Sequence, residues 1–116
     1  MVYITPFNFE EEILKSELCC MVKFSSETCS LCEGLEVVYE NLYKDYASQI
    51  KFATVDVDEY EFLGELFEID GVPTIYFFTD ECAEEIPYPE DPSTFSGYRE
   101  QDLVHYLNNR LEQKKI

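Results

Sequence analysis

The chain is 116 residues long, enough for a single domain over residues 1–116 with a core of its own. Hydrophobic residues make up 46% of it and aromatic residues 16%, against 4 Gly and 5 Pro, which excludes a disordered acidic tail. With 25 Asp and Glu against 8 Lys and Arg, the net charge of -17 repels phosphate backbones and anionic lipids; nucleic acid and membranes are disfavoured as partners, and a soluble monomer is favoured.

The opening Met1-Val2-Tyr3-Ile4-Thr5-Pro6 has neither a basic region nor a long apolar run. Five cysteines, odd in number and scattered, do not form the framework of a secreted disulfide scaffold. Together these features predict a cytoplasmic, reducing setting, although a domain excised from a secretory-pathway protein would lack a signal as well. Val2-Tyr3-Ile4 reads as a short strand. A first helix follows, with Asn8 as its N-cap, Glu10, Glu11 and Glu12 in its first turn, and Phe9, Ile13 and Leu14 on one face. Leu18 to Phe24 is almost continuously apolar, as in a strand covered on both faces, and Lys23 is the one charge inside it.

Leu35, Val38, Tyr39, Leu42 and Tyr46 recur at helical spacing and predict a long second helix. Ile50 to Val57 is the next buried strand. Asp58 is placed to cap a short third helix that turns Phe62, Leu63, Leu66 and Phe67 inward. Gly71 punctuates before Val72-Pro73, and Thr74 to Thr79 is β-branched and aromatic, as in a central strand. Asp80-Glu81-Cys82 forms a turn, and Glu84 to Tyr88 is an edge strand interrupted by Pro87. A last helix presents Leu103, Val104, Leu107 and Leu111 to the core and ends at Lys114 and Lys115, near the negative pole of its dipole. This order predicts an α/β fold, a mixed sheet with helices on both faces.

The chemistry-bearing feature is Cys29-Ser30-Leu31-Cys32, where the apolar strand hands over to the long helix. Side chains three residues apart on a helix have Cβ atoms about 5–6 Å apart, so this pair can close a disulfide with little backbone movement. A helix N-terminus favours a thiolate. Cys29 occupies that place and is the candidate nucleophile, with Cys32 as the thiol that resolves the mixed disulfide. A structural zinc site would want four ligands, yet there is no second C-x-x-C and His105 stands alone on the last helix. Two inert packed thiols are the other alternative. Cys19 and Cys20 read as packing residues and Cys82 as an incidental surface thiol.

The apolar strand, the C-x-x-C pair, Val55-Asp56-Val57-Asp58, Gly71-Val72-Pro73-Thr74 and the amphipathic last helix together resemble the thioredoxin family over nearly the whole chain. The resemblance implies the thioredoxin fold, a central mixed sheet of about five strands flanked by four helices on both faces. It also implies a cis Pro73 facing the cysteines and a Val72 whose main chain pairs with a bound substrate. Phe95-Ser96-Gly97-Tyr98-Arg99 looks closer to the catalytic domains of protein disulfide isomerases, where the arginine matched by Arg99 approaches the active site. Neither a cofactor nor a metal is implied.

The departures bear on redox behaviour. The dipeptide between the cysteines is Ser30-Leu31 instead of Gly-Pro or Gly-His, and Thr28 replaces the usual tryptophan. Lys23 stands where the family usually buries an acid beneath the second cysteine. It could favour the Cys32 thiolate as a charge, act as a desolvated base, snorkel outward, or pair with a carboxylate such as Asp56. Lys23 and Arg99 are thus the candidates for tuning thiol pKa values. Glu27 and Glu33 flank the site and oppose the helix dipole.

The function implied is a protein thiol-disulfide oxidoreductase acting as a reductant in cell redox homeostasis. Its substrates would be disulfide-containing proteins, and its electron donor a thioredoxin reductase or glutathione. The competing readings are a redox-sensing interaction module of the same fold, and an excised disulfide-isomerase-like domain.

Overall fold

The apolar run after Glu17 becomes the central strand of the sheet, β2 (Cys19–Ser25), whose five inner residues are all buried. In the computed structural model, which describes residues 1–80 and 82–114, β2 pairs in parallel with β3 (Ile50–Asp56). It pairs antiparallel with β4 (Thr74–Phe78) on its other side. β1 (Val2–Tyr3) joins β3 in parallel and β5 (Ala83–Glu85) joins β4 antiparallel, giving the order β1-β3-β2-β4-β5. This is the mixed five-stranded sheet expected from the sequence.

Strand side chains alternate between faces, and two cores result. Met21, Phe52, Ile75 and Phe77 pack under α1 (Ser30–Tyr46) and α3 (Glu100–Lys114), against Leu35, Leu42, Leu103 and Leu107. Val22, Phe24, Val55 and Phe78 form the opposite core with Ile13 and with Leu63 of α2 (Glu61–Leu66). Each such side chain, fully buried, contributes about 1.5–3 kcal/mol relative to exposure. The predicted faces of α1 and α3 are those observed, with Val104 and Leu111 at the margin of the core. Lys115 lies outside the described residues. Among the described residues, no helix is long and apolar enough to cross a membrane.

The short elements differ from expectation. The first predicted helix is one π-helical turn, Glu10–Leu14, closed by a bond from Lys15 N–H to the Glu10 carbonyl. Asn8 does not cap it. Its side chain accepts from Thr5 N–H and donates to the Tyr3 carbonyl, while the Thr5 hydroxyl accepts from the N–H groups of Phe7 and Asn8. The turn is too short to keep a third side chain on the sheet, so Ile13 is buried and Leu14 is 61% exposed.

The third predicted helix, α2, has only six residues and one usable face. Leu63 is buried and Phe67, four residues on, stacks against Phe24 and Phe78, while Phe62 and Leu66 point to solvent. Asp58 does not cap it either. The carboxylate that turns the chain is Asp56, which accepts from the N–H groups of Asp58 and Glu59, and Asp58 accepts from the Ser26 hydroxyl. Pro87 ends β5 early, three residues instead of five, although Ile86 N–H still reaches the Ile75 carbonyl. In the predicted 80–82 turn, Thr79 N–H donates to the Cys82 carbonyl; Glu81 lies outside the described residues.

Two contacts set α1 on the sheet. The buried Tyr39 hydroxyl lies 2.7 Å from the Met21 carbonyl and 2.8 Å from that of Ala53, bridging β2 and β3. Gly34, just beyond the first turn, faces the backbone of Phe95, where a Cβ would stand 1.8 Å from the carbonyl oxygen. Only a residue without a Cβ lets the loop before α3 come so close. Replacing Gly34 by Ala is expected to destabilise the protein by at least about 2 kcal/mol, because backbone cannot yield as a flexible side chain would. Urea unfolding measures the loss, and a wild-type midpoint would contradict the contact.

Candidate active site

The chain leaves β2 at Ser25 and turns through Ser26-Glu27-Thr28 into α1. The Ser26 hydroxyl holds this turn, accepting from Thr28 N–H and donating to Asp58, and the Ser26 carbonyl accepts from Cys29 N–H. Cys29 is the N-cap of α1. Its extended backbone (φ -99, ψ 115) lets its sulfur take the place of a capping oxygen, and Cys29 Sγ accepts from Cys32 N–H at 3.1 Å. The helix therefore delivers a free N–H and its positive pole directly to the Cys29 sulfur. Cys29 is partly exposed and Cys32 is buried.

The loop before β4 closes the other side. The Val72–Pro73 peptide is cis, Pro73 is buried, and the Cys29 thiol points at the Val72 carbonyl, 3.7 Å away. Four sequence-predicted residues, Cys29, Cys32, Val72 and Pro73, are thereby gathered at the end of the sheet. The two thiols are unequal. Burial, then the hydrogen bond with Cys29, push Cys32 up to about 12; the Ser26 backbone and Lys23 pull the other way.

Lys23 is in the interior. It is 3% exposed, on the face of β2 that carries Met21, and its ammonium lies 4.8 Å from the centroid of the Tyr39 ring. It neither snorkels to solvent nor pairs with Asp56: among the described residues, no carboxylate closes an ion pair with it. A cavity of about 730 Å³ runs from it to both cysteines and is rimmed by acids, among them Glu36, Glu40 and Asp56.

Arg99 is held elsewhere. Its guanidinium donates to the Asp91 carbonyl at 2.7 Å and to the Asp91 carboxylate at 3.0 Å, and it does not line the cavity at the cysteines. Glu27, Thr28, Ser30 and Glu33 are exposed around Cys29. Cys20 is buried with its thiol toward the Leu18 and Glu12 carbonyls, and burial raises its pKa. Cys19 is half-buried, and Cys82 is exposed beside the Thr79 hydroxyl. His105 is exposed on α3 next to Asn109, and among the described residues no three His, Cys, Asp or Glu side chains are grouped to hold a metal ion. Sequence reasoning missed Gly34, Phe95, Ser26 and Tyr39 as parts of the site; the glycine one residue beyond the helix's first turn was the available signal.

The thioredoxin family model matches residues 1–109. The chain is 30% identical over 109 residues to a thioredoxin of Rickettsia bellii, a match covering 93% of this chain and 96% of that protein. It is 34% identical over 118 residues to the protein disulfide-isomerase tigA of Aspergillus niger, covering 98% of this chain and 31% of the isomerase. With the protein disulfide-isomerase erp38 of Neurospora crassa it shares 34% over 114 residues, covering 96% of this chain and 28% of the other. The chain thus spans nearly the full length of the thioredoxin and less than a third of either isomerase. With this sheet order, a cysteine pair opening α1 and a family match over 109 residues, the chain belongs to the thioredoxin family of thiol-disulfide oxidoreductases.

Proposed function

We propose that this protein reduces disulfides in other proteins through the Cys29/Cys32 couple, with Cys29 as nucleophile and Cys32 as resolving thiol. The observation that carries the reading is the Cys29 sulfur itself: partly exposed, capping α1, with the Cys32 N–H at 3.1 Å. Cys29 thiolate attacks one sulfur of the substrate disulfide. The substrate S–S bond breaks, one substrate thiolate leaves, and a mixed disulfide forms. Cys32, once deprotonated, attacks Cys29 Sγ and expels the second substrate thiolate, so the substrate gains two electrons and the protein closes its own disulfide.

Substrate docking uses the Val72 main chain beside Pro73, as an extended segment laid against the loop before β4. The protein works as a reductant in the cytoplasm and is regenerated by a thioredoxin reductase or by glutathione. Without a histidine between the cysteines, one source of thiolate stabilisation is missing, which argues against a strongly oxidising couple.

Replacing Cys29 by Ser is expected to abolish reduction of insulin disulfides, while Cys32→Ser should leave a mixed disulfide that accumulates on non-reducing gels. Full turnover by the Cys29 variant would overturn the assignment.

Cys32 should also be recognisable by its pH dependence. An ordinary thiol has a pKa of about 8.5 and its alkylation rate levels off above it. Cys32, pushed up to about 12, should show a rate that keeps rising about tenfold per pH unit between pH 8 and 10. The same shift makes the folded state hold a proton that the unfolded state has lost, so stability should fall as pH climbs from 9 toward 12. Iodoacetamide labelling mapped by mass spectrometry measures the first effect, and a Cys32 profile that levels near pH 8.5 would contradict it.

A further inference from the structure

The alternation of β2 turns Lys23 toward the face covered by α1, opposite Thr54 of β3 and Ile75 of β4. On α1, Cys32, Glu36, Tyr39 and Glu40 are spaced i, i+4, i+7 and i+8, which is one helical stripe. All four line the same cavity as Lys23. The Tyr39 ring forms the wall beside the ammonium, with Glu36 and Glu40 exposed toward solvent. At about 730 Å³ the space is roomy enough for water, which needs only about 10–15 Å³ of such volume. A buried ammonium with no carboxylate in ion-pair contact among the described residues therefore shares one cavity with a buried thiol.

We propose that Lys23 is a positioning residue for the resolving step, holding the Cys32 thiolate by its charge so that Cys32 can attack the mixed disulfide. The inference rests on the thiol-exchange reading above and adds a residue to it. In the step concerned, Cys32 releases its proton into the cavity, the Cys32 thiolate forms the bond to Cys29 Sγ, and the bond from Cys29 to the substrate sulfur breaks. The leaving substrate thiolate carries off the electron pair. Burial lowers the Lys23 pKa, while Glu36 first, then Cys32 and Glu40, raise it; the two glutamates thus help keep the ammonium charged where Cys32 needs it.

The reagent that separates this role from a structural one is Ellman's disulfide, because each half-reaction releases one coloured thionitrobenzoate. The first release reports attack by Cys29 and the second reports resolution by Cys32. In Lys23→Met the first is expected to keep its rate, and the second to slow at least tenfold at pH 7.5, with Lys23→Arg restoring most of it. In a Cys29→Ser background, alkylation of Cys32 should slow by the same factor when Lys23 becomes Met. Removing a buried charge is itself expected to stabilise the fold, and Lys23→Gln serves as a second neutral variant should the Met side chain pack badly. Circular dichroism checks that each variant is folded.

A second release within twofold of wild type in either folded neutral variant would overturn the inference. So would equal slowing of both releases, which is the mark of general damage to the site. Absence of both releases in the wild type would instead refute the thiol-exchange reading itself.

Discussion

Everything at the active end of this molecule depends on how α1 is seated on the sheet, and one hydroxyl fixes that seat. Tyr39 reaches past the core to the carbonyls of Met21 and Ala53, on adjacent parallel strands, with its ring against Phe52. A buried hydroxyl has to find an acceptor, so the rotation of α1 about its axis is constrained more tightly than apolar packing alone would constrain it. Two turns earlier on the helix, that rotation determines where Cys32 points. It also places Gly34 against the Phe95 backbone, locking the loop before α3 to the N-terminal part of the same helix. The cysteine pair, the loop before α3 and the helix register are coupled mechanically through these few contacts.

The electrostatics follow from the same seat. A chain of net charge -17 has few cations to spend inside, and most of those with partners in the described structure are paired at the surface, as Lys15 is with Glu11, Lys51 with Glu12 and Arg99 with Asp91. Lys23 is the exception, buried in the cavity that Cys32 also lines. Exposed pairs of the first kind contribute little, commonly about 0–1 kcal/mol, whereas a buried ammonium carries a desolvation penalty that something must offset. The Tyr39 ring offsets part of it by cation–π attraction, and the field of Glu36 and Glu40 another part.

The large elements were legible in the sequence because their signals are long and redundant. A strand run from Leu18 to Phe24 that is apolar but for Lys23, a helical stripe from Leu35 to Tyr46 and a β-branched, aromatic Thr74–Phe78 each repeat one message many times over. The C-x-x-C pair and Val72-Pro73 could be placed because their separation in sequence is bridged by that strand order. Single-residue signals fared worse. Asn8 and Asp58 both had the chemistry of an N-cap, yet the side chains that organise the local backbone are Thr5 and Asp56, a few residues upstream. Capping depends on the backbone angles of the residue as well as on its oxygen, and those angles are set by the strand the chain has just left.

Charge and shape at long range were the least legible. Lys23 read equally well as a snorkelling side chain, because nothing in a one-dimensional string says that α1 lies across its exit. Arg99 resembled an arginine that approaches the thiols, but Asp91, in a proline-bounded loop, takes its guanidinium in both available geometries, through a carbonyl and a carboxylate. The asymmetry between the two cysteines has the same origin. Three residues apart in sequence, they differ because Cys29 caps the helix at the surface while Cys32 lies one turn inside, where burial raises its pKa against the pull of the Ser26 backbone and of Lys23. In the proposed exchange chemistry the labour is divided by depth: attack falls to the sulfur that caps the helix at the surface, and resolution to the one buried a turn inside.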